Sequence, residues 1–232
     1  MKSLHKTFDV LEYVVLRNGA NVTPSEVANA LALNPATATR ILTELVKRGY
    51  LDHVSRKEGY IAGPMVVSLG TRRNPYQRIA AAAREPVAEL AATFQHQVIL
   101  AVLNLDRRVM LGYCLNDPEA QPWDRFFFTD RWETATGRLL LSALDERTAL
   151  KLVPEAERAA AKAVLPELRK QDCHMFEIAG ETVIGCRVRV PGYPVAAFGF
   201  GVAPERAEEA LKEAAAAARR IEQRLRKPLR AY

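Results

Sequence analysis

The chain has 232 residues, enough for one large or two modest domains, each with its own core. Its hydrophobic content of 49% and charged content of 26% are those of an ordinary globular protein. Residues 1–6 lack the apolar segment of a signal peptide, and no run approaches the roughly 18 apolar residues of a membrane span. Three cysteines, far apart and odd in number, do not make a disulfide framework and read as small core residues, so a cytoplasmic location is expected. The net charge is +6, and residues 1–80 hold a balance of +5, with +1 left for the remainder.

In chain order, residues 4–16 predict a helix that buries Leu4, Phe8, Leu11 and Val15, stopped by Asn18-Gly19. Thr23-Pro24-Ser25-Glu26 is a capping box: a Thr cap, Pro at the first helical position, and an acid three residues after the cap. Asn34-Pro35 repeats the cap-plus-Pro signal. Two short, tightly joined helices follow from these signals. In the second, Ala38, Ile41, Leu42 and Leu45 recur at i, i+3, i+4 and i+7 and face inward. Its outer face carries Ala36, Thr37, Thr39, Arg40, Thr43, Glu44 and Lys47, small and polar near the start. Such a helix can enter a major groove, early residues at base edges and cations at phosphates. An ordinary surface helix of an α-hairpin fits the same pattern. Residues 50–54 alternate like a strand, 55–59 turn, and 60–62 return. Arg56 and Lys57 at that tip would meet phosphate or a minor groove.

This order, two helices and then a hairpin, resembles the winged helix-turn-helix of the IclR-type transcriptional regulators. The matching residues are Leu4, Phe8, Val10 and Leu11, then 27–31 (VANAL), 38–42 (ATRIL) and 47–51 (KRGYL), with Tyr60, Gly63-Pro64 and Leu69-Gly70 beyond the wing. The resemblance implies double-stranded DNA with a palindromic operator as partner. The DNA-facing set is then Thr23, Ser25, Ala36, Thr37, Thr39, Arg40, Thr43, Lys47, Arg56 and Lys57. The charge excess lies in the same segment, as phosphate neutralisation requires. Residues 64–73 read as a linker helix with Met65, Val66 and Leu69 apolar; in the family this helix helps pair the DNA-binding domains. Asn74-Pro75 breaks the chain. The domains expected are 1–63, a winged helix-turn-helix; 64–75, a linker helix; and 76–232, a second domain.

That second domain opens with an Ala-rich helix from about 76, in which Pro86 marks a kink or restart. Runs 98–103 and 109–114 form a hairpin. Residues 116–121 are a polar loop, 123–129 a strand, and 133–144 a helix with helical material continuing to about 170. Strands at 182–190 and 195–202 and a long helix at 204–226 complete it. Helices flanking an antiparallel meander make an α+β domain. It resembles, through Glu85-Pro86, Ala135-Thr136-Gly137-Arg138 and Gly185-Cys186, the family's GAF-like effector-binding domain.

No nucleophile elbow, phosphate loop or metal-ligand spacing appears, and His5, His53, His96 and His174 are scattered, so no catalytic residue, metal or cofactor is expected. One position offers a site: the helix start at 133–137, where free amides and the dipole favour an anion. The family's effectors include small carboxylic acids held at the corresponding helix start. The resemblance therefore implies that Ala135, Thr136 and Gly137 hold an organic acid, with Cys186 on the facing strand and Tyr113, Cys114 and Phe128 around it. A bland alternative has Thr134 capping the helix and Gly137 allowing close packing. Where acid-binding members place small hydroxyl residues and an acid, this chain has Gly199, Gly201 and Phe176, and Trp123, Phe126, Phe127, Phe128 and Trp132 crowd the approach. The glycines would enlarge a pocket, and the expected effector is larger or more aromatic than glyoxylate or pyruvate. A homodimer or dimer of dimers is expected, because one short recognition helix makes too few base contacts. Two alternatives belong to other classes: a winged-helix protein-interaction module whose sensor binds nothing, and an enzyme with an accessory winged helix.

Overall fold

Helix ends in the N-terminal residues are fixed by their own side chains. The computed structural model describes residues 2–71, 74–115 and 125–227, which divide into two compact units between the linker helix and the long helix after it. The first unit begins with α1 (Lys2–Val15), followed by α2 (Pro24–Ala30) and α3 (Pro35–Lys47). Thr23 Oγ1 accepts from the Glu26 amide at 3.3 Å, and the Glu26 carboxylate accepts from the Thr23 amide at 2.6 Å, completing the capping box. Asn34 Oδ1 caps α3 by accepting from the Ala36 amide at 2.9 Å.

α3 ends in a Schellman motif. Gly49 takes the left-handed φ of 73°, its amide donates to the Val46 carbonyl, and the Tyr50 amide donates to that of Leu45. The chain then forms the wing, β1 (Leu51–Ser55) antiparallel to β2 (Gly59–Ala62), with Val22 bridging to Tyr60. Gly59 is required there: its φ is 92°, and a Cβ would lie 2.3 Å from the Val22 carbonyl oxygen. The short linker helix α4 (Pro64–Gly70) buries none of its residues in this unit.

The inward stripe of α3 is as expected, with Ala38, Ile41, Leu42 and Leu45 all buried. The stripe of α1 is not. Leu4 and Phe8 are 61% and 54% exposed, Leu11 and Val15 are half-buried, and Val10 and Val14 are the residues that enter the core. This helix carries two apolar stripes at helical spacing. Periodicity alone does not say which one meets α3 and β2.

The second unit is an antiparallel sheet in the order β5-β4-β3-β8-β7-β6. Its strands are β3 (Val98–Asn104), β4 (Arg107–Cys114), β5 (Phe127–Phe128), β6 (Cys173–Ile178), β7 (Glu181–Val188) and β8 (Ala196–Val202). One face packs on the long helices α5 (Pro75–Phe94) and α9 (Ala207–Arg226), and the other on α6 (Ala135–Ser142), which leads through α7 (Glu146–Leu152) to α8 (Arg158–Lys170). Alternation divides the strands accordingly. Val98, Leu100, Ile184, Cys186, Val188, Phe198 and Phe200 join the α5/α9 core, while Gly185, Arg187 and Gly199 face α6. This α+β layout is the one expected. No helix among the described residues is long and apolar enough to cross a membrane.

Several boundaries differ from the expectation. Strand β6 lies where none was read, because an edge strand with both faces half-exposed shows no hydrophobic alternation. Of the strand expected at 123–129, residues 125–129 are described and only Phe127–Phe128 are strand (β5); the loop expected at 116–121, like Trp123, lies outside the described residues. The last helix begins with a 3-10 turn, Pro204–Arg206. Asn74-Pro75 is a third cap-plus-Pro start, with Asn74 Oδ1 accepting from the Gln77 amide at 2.8 Å.

Pro86 neither ends nor restarts α5. Its missing N–H leaves the carbonyl four residues earlier, at Ala82, without a helical donor. Arg224 of α9 donates to that oxygen at 3.3 Å and also pairs with Glu85. Arg187, 2% exposed, plays a similar part on the other face. Its guanidinium donates to Ser142 Oγ, to the carbonyl of Arg169 and to that of Gln171, closing the C-terminal ends of α6 and α8.

The cysteines overturn one expectation. Cys173 and Cys186 are joined by a disulfide across β6 and β7, where they sit directly opposite each other. Their 13-residue separation in sequence conceals this pairing. Cys114 is free.

Replacing Arg187 with Leu should leave the buried Ser142 hydroxyl and the part-buried carbonyls of Arg169 and Gln171 without this donor, the buried one costing about 1–3 kcal/mol and the others adding to it. We expect a loss of about 3 kcal/mol or more in urea unfolding. A loss below about 1 kcal/mol would show that water serves those oxygens instead.

Candidate nucleic-acid interface and ligand site

The outer face of α3 is open. Ala36, Thr39, Arg40, Thr43 and Lys47 are exposed, Thr37 is half-buried, and Ser25 is exposed at the start of α2. Thr39 and Thr43 donate their hydroxyls back to the carbonyls of Pro35 and Thr39, so these donors are already engaged within the helix. Thr23 is different: its hydroxyl is engaged with Glu26 in the capping box, so its function is structural first. Arg40, Arg56 and Lys57 make no hydrogen bond or ion pair within the described residues. At the wing tip, Ser55 Oγ accepts from the Glu58 amide at 3.0 Å, fixing the turn that displays Arg56 and Lys57.

Glu44 alters the charge of this face. It hydrogen-bonds Arg48 at 3.3 Å and lies 3.5 Å from Lys47, and these cations, Arg48 first, hold its carboxyl below the usual range. Both pairs are exposed and screened by salt. Lys47 therefore reaches a phosphate only in competition with its own neighbour.

The ligand residues expected in the second unit fall on two faces of the sheet. Phe128 pairs with Arg108, Tyr113 with Ile99, and Ile99 with Gly199, which places these residues on the α6 side. Cys186 lies on the other side, fully buried in the α5/α9 core and bonded to Cys173. A one-residue step along a strand reverses its face, and Gly185 is the residue that meets the start of α6. Cys114 also faces α5; together with Ala83, Arg84, Val87 and Leu100 it lines a cleft of about 160 Å³, and burial pushes its thiol pKa up.

The start of α6 is close-packed. Thr134 Oγ1 accepts from the Gly137 amide at 3.1 Å, and a Cβ on Gly137 would lie 2.0 Å from the Arg131 carbonyl oxygen. A Cβ on Gly185 would lie 2.9 Å from the Thr136 amide nitrogen, and one on Gly199 would lie 2.7 Å from Thr136 Cγ2 and 2.6 Å from the Ile184 carbonyl oxygen. At Gly201 the space holds the ends of Glu181 and His96. Of the two glycines expected to enlarge a pocket, Gly199 instead admits α6, as Gly185 does beside it, and the space at Gly201 is taken by side-chain ends. Both roles foreseen for Thr134 and Gly137, cap and close packing, are present.

Three basic residues that were not among the expected ligand residues stand around this helix start. Arg108, 4% exposed, donates to Thr136 Oγ1 at 2.9 Å and pairs with Asp130 at 2.6 Å, above the Phe128 ring. Arg138 donates through Nε to the Trp132 carbonyl, and its guanidinium lies 4.9 Å from the Trp132 ring centroid and 4.0 Å from that of Phe176. Burial lowers its pKa, with Glu157 and Glu133 opposing. His174 stacks on Phe176, and its Nε2 is buried without a partner. Burial first, and the Arg138 charge second, push the His174 pKa down. The sequence marks Arg138 only as part of a family motif and His174 only as a scattered histidine; their convergence with Arg108 is not legible there, because strands β4 and β6 and helix α6 bring them together from three separate segments.

A winged helix-turn-helix unit joined to a six-stranded antiparallel domain with helices on both faces defines the class of protein. Residues 3–55 match the family described as the IclR helix-turn-helix domain. The whole chain has the fold of IclR-type structures. One is an IclR homolog from Microbacterium hydrocarbonoxydans complexed with 4-hydroxybenzoate, 21% identical, covering 97% of this chain and 99% of that one at a TM-score of 0.76. Another is the Thermotoga maritima IclR, 22% identical, with coverage of 97% and 99% and a TM-score of 0.66. A third, Pseudomonas aeruginosa HmgR, is 19% identical, with the same coverage and a TM-score of 0.71. No curated relative matches the chain in sequence.

Because Gly199 lies under Thr136, Gly199→Ala should destabilise the second unit by about 1–3 kcal/mol, the usual cost of overpacking. Equilibrium unfolding followed by tryptophan fluorescence measures it. An unchanged midpoint would mean that the space is open after all.

Proposed function

We propose that the chain is a transcriptional regulator of the IclR type that binds a palindromic operator as a homodimer or dimer of dimers, under control of a small organic acid. The observation that carries the reading is the exposed face of α3, with an unpaired Arg40 beside small side chains, followed by a wing tip bearing unpaired Arg56 and Lys57. Base edges would be read by Ala36, Thr37, Thr39, Arg40 and Thr43, while Ser25, Lys47, Arg56 and Lys57 would meet backbone phosphate. Dimerisation is supported by the apolar residues that the first unit leaves outward, Leu4 and Phe8 on α1 and Met65, Val67 and Leu69 on α4.

The effector reading rests on the α6 side of the second unit. A helix start flanked by Arg108, Arg138 and the rings of Phe128, Trp132 and Phe176 suits an anion attached to an aromatic ring. That the Microbacterium homolog is complexed with 4-hydroxybenzoate supports the same chemical class. In a thermal-shift panel, 4-hydroxybenzoate and related aromatic acids should raise the unfolding temperature, and Arg138→Ala should remove the rise. Stabilisation by glyoxylate or pyruvate with none by aromatic acids would sink this assignment.

For DNA, Arg40→Ala should weaken operator binding by about 1–3 kcal/mol while leaving random DNA almost unaffected. Substituting both Arg56 and Lys57 should weaken binding to every sequence and flatten the salt slope by about two. Glu44→Gln should act in the opposite direction: with Lys47 and Arg48 released, non-specific affinity rises and the slope steepens. Fluorescence anisotropy across a salt series reads all three, and an Arg40 variant indistinguishable from wild type on operator would rule out the recognition-helix assignment.

A further inference from the structure

We propose that Cys173 and Cys186 form a reversible thiol–disulfide site that clamps edge strand β6, and with it one wall of the α6 side, according to redox state. The geometry is specific. The two residues are a directly opposed pair with Cα atoms 4.1 Å apart, and the Arg187 amide donates to the Asp172 carbonyl just beyond them. That bond marks a non-hydrogen-bonded pair, the position in an antiparallel ladder where facing side chains approach most closely. Strand β6 is the last in the sheet, held on one side only. Its far end is closed by a two-residue turn, with Ala179 and Gly180 at φ of 51° and 85°. The disulfide closes the open end. Between the two ties lie His174 and Phe176, opposite Gly185 and Val183, and Phe176 carries the Arg138 guanidinium at 4.0 Å.

The two sulfurs are unequally placed: Cys186 is fully buried and Cys173 is half-buried. Exchange therefore begins at Cys173. In the oxidising direction a peroxide transfers one oxygen to the Cys173 thiolate: an S–O bond forms, the O–O bond breaks, and hydroxide leaves to become water. The Cys186 thiolate then attacks Cys173 Sγ, forming the S–S bond and expelling hydroxide, which also ends as water. In the reducing direction a dithiol attacks Cys173 Sγ and the S–S bond breaks. Cys186 leaves as a thiolate that takes up a proton, and the second thiol of the reductant resolves the mixed disulfide, leaving the reductant oxidised. With the clamp open, β6 is kept by its ladder, its turn and the contacts of Arg187. The inference depends on this pair alone and stands whatever effector the α6 side takes.

The test uses the full chain after treatment with hydrogen peroxide or dithiothreitol, each removed before measurement. Alkylation under denaturing conditions and mass spectrometry should find Cys114 alone modified in the oxidised sample and all three cysteines in the reduced one. Hydrogen exchange of residues 173–178 should be faster in the reduced protein, by up to about 100-fold, the factor set by closing a loop of this length. Cys173→Ser, which spares the buried sulfur, should exchange at the reduced rate in both conditions, while Cys114→Ser should keep the full response. Three alkylated cysteines after peroxide, equal exchange in the two states, or a response lost in Cys114→Ser would each overturn the proposal.

Discussion

The contact on which the second unit turns is the seating of the first turn of α6 on two bare Cα atoms. A side chain at Gly185 or Gly199 would collide with Ala135, Thr136 or the neighbouring strand, so the helix reaches the sheet only because both positions lack one. From that seat the rest follows. Thr136 is placed to receive Arg108, and Arg138, two residues on, is carried to lie between Trp132 and Phe176. The C-terminal end of α6 arrives where Arg187 and Arg169 can close it. The same approach concentrates positive charge and aromatic rings around a helix start, which is an electrostatic arrangement for an acid and equally a means of holding the helix down. Thr134 and Gly137 show that the two uses share residues.

The first unit depends on backbone positions of the same kind. Gly49 ends α3 in the left-handed region, and the chain that follows returns as a wing whose Gly59 touches the Val22 carbonyl. Helix α3 and the wing are thus fixed by one end-of-helix turn and one close crossing. Three of the charges proposed to meet DNA take no part in holding that frame. Arg40, Arg56 and Lys57 can be changed with little cost to folding, which is why binding and stability separate cleanly there.

Much of this was legible in the sequence because local chemistry decides it. Thr23 with Glu26, and Asn34 with Pro35, each specify a helix start from three or four neighbouring residues, and the stripe of α3 is single and unambiguous. Legibility failed where tertiary partners choose. α1 has two apolar stripes, and burial of Val10 and Val14 instead of Leu4 and Phe8 is settled by what α3 and β2 present. Strand β6 shows no alternation because it is an edge. The ligand face was misassigned at Cys186 by a single residue, enough to send a side chain through the sheet. The disulfide, and the gathering of Arg108, Arg138 and His174, arise from segments with no common signal along the chain.

Pro86 has a mechanical consequence. It removes one rung from α5, and Arg224 supplies the missing donor from α9 while its charge is matched by Glu85. A gap in one helix is thereby filled by another that lies almost at the other end of the sequence. The two helices share a hinge pin instead of sliding as greased cylinders. The tie adds a polar fastening to two helices whose shared core is otherwise made of small apolar side chains such as Ala83, Ala214 and Ala217.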